Sequence, residues 1–84
     1  CAICAAPTVL AAAGVLAYEQ VTCYPTSVAD LGRESAGVPA VADGQVITGQ
    51  AAGSAVLFGL VVLQHLTDED TALRIAASMV ARFG

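Results

Sequence analysis

The residues best placed by type and spacing to do chemistry stand in Cys1-Ala2-Ile3-Cys4-Ala5-Ala6-Pro7. Ile3 ends a short apolar run, Cys4 carries a thiol, and two alanines permit a tight turn before Pro7 opens a helix. Proline suits the first helical position, where the N–H it lacks would have no intrahelical partner. A cysteine on a strand-to-helix turn is a candidate nucleophile, because the sharp backbone exposes the sulfur and a helix start favours the thiolate. Packing is the competing reading of Cys4, since free cysteine is among the most buried residue types.

The remaining reactive groups are sparse. Cysteines at positions 1, 4 and 23 fit no zinc spacing, and no second Cys/His cluster completes a site, so neither a metal nor another cofactor is expected. Their odd number argues against a disulfide scaffold and for a reducing, cytoplasmic compartment. Cys1 reads as core, and Cys23 as a strand residue near the site rather than a resolving partner of Cys4. His65, beside Gln64, reads as a satisfied or partly exposed histidine. Asp68, Glu69 and Asp70 read as a helix start and not as a calcium loop.

These residues must be positioned by a chain of only 84 residues, at most one small domain. Hydrophobic residues make up 57% of it and charged residues 12%, with no lysine, which is the composition of an interior. Something else is expected to cover part of the surface. The chain opens on Cys1 and its first methionine is Met79, so it reads as a fragment or processed piece. Seven acidic residues against Arg33, Arg74 and Arg82 give a net charge of −4, and the arginines do not cluster. Nucleic acid is therefore not an expected partner, because phosphate neutralisation needs a basic footprint. A membrane is not expected either. The uncharged run 1–18 is broken by Pro7 and Gly14, and the run 45–66 begins as a strand and leaves too short a helix to span.

Turn residues divide the chain into elements. Residues 1–4 read as a strand end and residues 7–13 as an alanine-rich helix stopped by Gly14. Val21-Thr22-Cys23 reads as a short strand ended by Tyr24-Pro25, and Thr26 or Ser27 as the cap of a brief helix through Leu31. Asp43-Gly44 between two apolar runs predicts a hairpin. Residues 53 or 54 to 66 predict an almost wholly apolar helix, buried on nearly every side. A last helix follows Thr67-Asp68 and runs through Arg82, with Leu73, Ile75, Ala76, Met79 and Val80 as apolar positions. Strands alternating with helices predict an α/β fold.

Taken in order, the segments Ala2-Ile3-Cys4-Ala5-Ala6-Pro7, Ala13-Gly14-Val15-Leu16, Val21-Thr22-Cys23-Tyr24-Pro25 and Val41-Ala42-Asp43-Gly44-Gln45-Val46-Ile47-Thr48 resemble the C-terminal half of a ThiJ/PfpI superfamily protein of the deglycase and YajL-like branch. The resemblance covers nearly the whole chain. It implies that residues 1–84 are a partial single domain, the C-terminal half of a flavodoxin-like three-layer α/β/α sandwich. Cys4 would stand at a nucleophile elbow, with Tyr24, Pro25 and Gly53 walling the site and a homodimer as the assembly. In the family a glutamate on the first strand bonds the cysteine and a glycine-rich loop supplies an oxyanion donor. Both would come from the N-terminal half, as a separate chain or unrecorded segment. Within this chain, the N–H groups of Cys4 and Ala5 are the expected donors.

Departures from the family pattern narrow the chemistry. The loop that commonly reads Ser-Arg-Gly-Pro-Gly-Thr is Gly49-Gln50-Ala51-Ala52-Gly53-Ser54, and Leu57 replaces a glutamate. Tyr24 stands where the deglycase branch often has histidine, although an aromatic is seen there among YajL-like relatives, and Ala5 removes the Cys-His dyad of the protease-like branch. Two function classes lead. One is an enzyme acting on small reactive carbonyls, glyoxalase-like or deglycase-like, through a Cys4 hemithioacetal. The other is an oxidative-stress sensor or chaperone in which Cys4 is oxidised without turnover. An amidotransferase would need a downstream His-x-Glu, which does not occur.

Overall fold

A computed structural model describes residues 1–81. Its elements are β1 (Ala2–Ile3), α1 (Pro7–Ala12), a 3₁₀ turn (Pro25–Ser27), α2 (Val28–Leu31), β2 (Ala40–Asp43), β3 (Val46–Gly49), a second 3₁₀ turn (Ala52–Ser54), α3 (Ala55–Leu66) and α4 (Glu69–Ser78). The sheet has the order β1-β3-β2. β1 runs parallel to β3 with Ala2 opposite Thr48 and Ile3 opposite Gly49, and β2 runs antiparallel to β3 from Ala40–Gly49 to Asp43–Val46. Gly44 and Gln45 therefore form the hairpin turn, one residue later than Asp43-Gly44 suggests. Gly44 alone of the pair has positive φ, as a type II′ turn requires.

Alternation along β3 sends its side chains to opposite faces. Val46 packs with Ala11, Leu16 and Val28 against the buried cluster Val21, Cys23 and Leu31, on the face of α1 and α2. On the other face, the position a side chain of Gly49 would take is bounded by Phe58 of α3. Helices thus lie on both sides of a small mixed sheet, the layering of an α/β/α sandwich.

The strand expected at residues 21–23 is instead an extended buried segment outside the ladder. Its main-chain groups find partners elsewhere. Thr22 N–H donates to the Thr48 hydroxyl at 3.0 Å, Ala36 N–H donates to the Val21 carbonyl at 2.7 Å, and the Thr22 hydroxyl donates to the Val38 carbonyl at 2.7 Å. Thr22 and Thr48 are completely buried, and these bonds make that burial tolerable.

Two helices differ from expectation in burial. α3 is apolar but for Gln64 and His65, yet Leu60 is its one buried residue, and Val56 and Leu66 are 50% and 76% exposed. The sheet and α4 cover only part of it. On α4 the buried residues are Ala72 and Ala76, whose small size lets the helix approach α3, whereas Leu73, Ile75 and Met79 are exposed.

The ends of α4 follow capping rules. Asp68 accepts a bond from Thr71 N–H at 2.7 Å, which holds its carboxyl below the usual range. At the other end Val80 takes φ +55° while Val80 N–H bonds Ala77 O and Ala81 N–H bonds Ala76 O. This paired closure ends the helix before Arg82, which lies outside the described residues. Among the described residues no helix is long and apolar enough to cross a membrane.

Replacing Thr48 by valine leaves the buried Thr22 N–H without its acceptor and is expected to cost about 1–3 kcal/mol in thermal or urea unfolding. Thr48→Ser keeps the oxygen and should recover most of that loss. Equal destabilisation by the two variants would show that the hydroxyl is not what holds residues 21–23.

Candidate functional site

Cys4 has φ +66°, the left-handed region that a side chain normally avoids. β1 ends at Ile3 and α1 begins at Pro7, so the chain reverses within three residues, and the left-handed residue makes that turn. The conformation costs on the order of 1–2 kcal/mol and is held by bonds on either side of the thiol. Cys4 N–H donates to the Gly49 carbonyl at 3.0 Å, and the Cys4 carbonyl accepts from Tyr24 N–H at 2.8 Å.

A donor count around the turn corrects one expectation. Cys4 N–H is committed to Gly49. Ala6 N–H bonds Ile3 O, Thr8 N–H bonds Ala5 O and Val9 N–H bonds Ala6 O, while Pro7 has no donor. Across residues 4–9, only Ala5 N–H has no acceptor among the described residues. Of the two oxyanion donors expected at the elbow, Cys4 and Ala5, the structure leaves Ala5 alone free, because continuing the parallel pairing past Ile3 uses the Cys4 N–H.

The thiol of Cys4 is partly buried, that of Cys23 fully buried and that of Cys1 exposed. Cys1 is therefore not core. Burial pushes the Cys23 thiol up, a contact with Ser35 acts against that rise, and the neighbouring Cys4 adds to it. Cys23 Sγ–H faces the Tyr24 carbonyl at 3.4 Å.

The residues expected to wall the site separate into two groups. Tyr24 is bonded to the elbow through its backbone and is 42% exposed, and Pro25 follows it at the head of the 3₁₀ turn. Gly53 lies exposed in the turn between β3 and α3, and no described contact joins it to Cys4. His65 is exposed in the last turn of α3. No group of three or more potential metal ligands occurs among the described residues.

Gly49 is the residue that sequence reasoning missed. A Cβ there would stand 2.9 Å from Ile3 Cγ1 and 2.9 Å from Phe58 Cδ1, so only glycine lets β1, β3 and α3 converge beneath the elbow. A glycine ending a strand directly before a small-residue loop was the available signal.

A mixed α/β sandwich with a cysteine on a left-handed strand-to-helix turn defines a nucleophile-elbow protein. Comparison with known proteins agrees. The model of the DJ-1/PfpI family matches residues 1–65, and the chain belongs to that family. Protein dj-1beta of Drosophila melanogaster is 33% identical over 98% of this chain and 46% of its own length. The crystal structure of Drosophila DJ-1beta superposes with a TM-score of 0.85 at 32% identity, covering 96% of this chain and 46% of that one. Oxidized Toxoplasma gondii DJ-1 gives 0.86 at 26% identity over 95% and 45%. Schizosaccharomyces pombe DJ-1 gives 0.80 at 28% over 95% and 43%. The chain thus spans about half the length of these relatives.

Gly49→Ala is expected to cost about 1–3 kcal/mol by overpacking. It should also slow or misdirect alkylation at Cys4, because the carbonyl that anchors the Cys4 N–H must move. Thermal unfolding and site-resolved iodoacetamide labelling by mass spectrometry read the two effects. An unchanged melting temperature would remove Gly49 as the structural key to the turn.

Proposed function

We propose that Cys4 is the nucleophile of an activity on small reactive carbonyls, glyoxalase-like or deglycase-like. The observation that carries this reading is the left-handed turn at Cys4 beside one uncommitted N–H, that of Ala5. The thiolate adds to an aldehyde carbon, the carbonyl oxygen takes the negative charge, and Ala5 N–H donates to it as the hemithioacetal forms. Protonation of that oxygen requires an acid. Asp43, Glu19 and Glu34 lie on other segments, and none has a described bond to the elbow. The resemblance supplies one instead, a glutamate on a companion N-terminal half. Tyr24 and Pro25 would form one wall of the substrate site.

A companion polypeptide, together with a second copy of the assembled domain, also accounts for the apolar surface. Val9, Val56, Leu66, Leu73 and Met79 are 45–76% exposed, more than an isolated small domain ordinarily leaves open. Native mass spectrometry of the purified material is expected to show a second polypeptide and a dimer. A folded 84-residue species alone would contradict the companion.

Oxidation is the second reading of the same sulfur. It is favoured by the similarity to Toxoplasma DJ-1, whose structure is of the oxidized protein. Methylglyoxal consumption by the complete protein should fall to background in Cys4→Ser. Equal rates in the two proteins would end the carbonyl reading and leave the redox one.

A further inference from the structure

We propose that Cys23 is the resolving thiol for Cys4: after a peroxide oxidises Cys4 to a sulfenic acid, the sulfur of Cys23 attacks it and closes an intrachain disulfide. This inference rests on Cys4 being the reactive sulfur and deepens the oxidation reading of that site.

The backbone brings the two residues together although 18 positions separate them in sequence. Tyr24 N–H, one peptide beyond Cys23, donates to the Cys4 carbonyl at 2.8 Å. Standard backbone dimensions then limit the Cα atoms of Cys4 and Cys23 to about 7.5 Å apart. A trans peptide keeps Cα23 on the same side as that N–H and shortens the span further, toward the roughly 4.4–6.8 Å that disulfides bridge. The link replaces weak contacts of the Cys23 thiol, to the Tyr24 carbonyl at 3.4 Å and to Ser35.

The environments of the two thiols suit different roles. Cys4 is partly exposed on a strained turn, where peroxide can reach it, and Cys23 is 1% exposed. Burial shields the Cys23 thiol from peroxide and raises its pKa, so Cys4 meets the oxidant first and Cys23 reacts only with the sulfur beside it. Cys1 is exposed and lies on the far side of β1 from the turn in sequence, with no comparable backbone tie to residue 23.

The chemistry balances with hydrogen peroxide as the oxidant. The Cys4 thiolate attacks one peroxide oxygen, the O–O bond breaks, and with one proton taken up the products are the sulfenic acid and water. Cys23 sulfur then attacks the Cys4 sulfur, the S–O bond breaks, and hydroxide leaves with the Cys23 proton as a second water. Cys4 is thereby diverted from the sulfinic acid, and a thiol reductant restores both groups.

The test treats the protein as purified with equimolar hydrogen peroxide, blocks remaining thiols and cleaves after Glu19, which lies between the two cysteines. Peptides 1–19 and 20–34 should remain joined, two hydrogens lighter than their sum, and separate on reduction. The link should persist in Cys1→Ser and vanish in Cys4→Ser. In Cys23→Ala, sulfinic acid at Cys4 should rise several-fold. The wild-type result does not depend on how that variant folds. Oxygen on Cys4 with unlinked peptides overturns the resolving role while leaving Cys4 reactive. Neither oxygen nor link at Cys4 overturns both. A link that vanishes in Cys1→Ser assigns the partner to Cys1 and also overturns the inference.

Discussion

The hydrogen bond from Cys4 N–H to the Gly49 carbonyl is the contact on which the remainder of the site depends. It extends the parallel pairing of β1 and β3 by one donor beyond Ile3, and so fixes the point at which the chain must turn. With the N–H pinned and the Cys4 carbonyl held by Tyr24, the left-handed conformation at Cys4 is over-determined from both sides, which is the condition under which such strain persists. The same bond decides the chemistry available there. It commits the Cys4 N–H and leaves that of Ala5 without an acceptor among the described residues.

Gly49 makes the bond possible by having no side chain. Ile3 and Phe58 close over it to within 2.9 Å of where a Cβ would sit, so the strand carrying the thiol, its neighbour and α3 meet at one small residue. The buried threonines extend this order across the sheet. Thr48, next to Gly49 on β3, supplies the hydroxyl that holds Thr22, and residues 21–23 in turn deliver Tyr24 N–H to the elbow. Packing, polar satisfaction and site geometry therefore run through two consecutive residues of one four-residue strand.

Part of what remains open on the two long helices is apolar. α3 and α4 meet each other and part of the sheet, yet expose leucine, valine and methionine side chains. The DJ-1/PfpI relatives are about twice as long as this chain. Among the described residues the Cys4 thiol has one open N–H beside it and no acid bonded to it.

Local signals in the sequence determined much of this. Pro7 and Gly14 bracket α1, Gly32 in the left-handed region closes α2, Asp68 caps α4, and the glycine of Asp43-Gly44 makes the hairpin, because each depends on backbone preferences a few residues wide. The elbow was legible too, since a thiol between an apolar strand end and an alanine-proline helix start is a local pattern. Tertiary structure alone decided the rest. Residues 21–23 look like a strand by composition but lie outside the ladder, because a distant threonine hydroxyl takes the N–H that a strand partner would. α3 looks buried by hydrophobicity but is half open, because burial depends on what is present to cover it. The proximity of Cys23 to Cys4 comes from a single backbone bond across 20 residues of sequence, from Cys4 to Tyr24, which no spacing rule encodes.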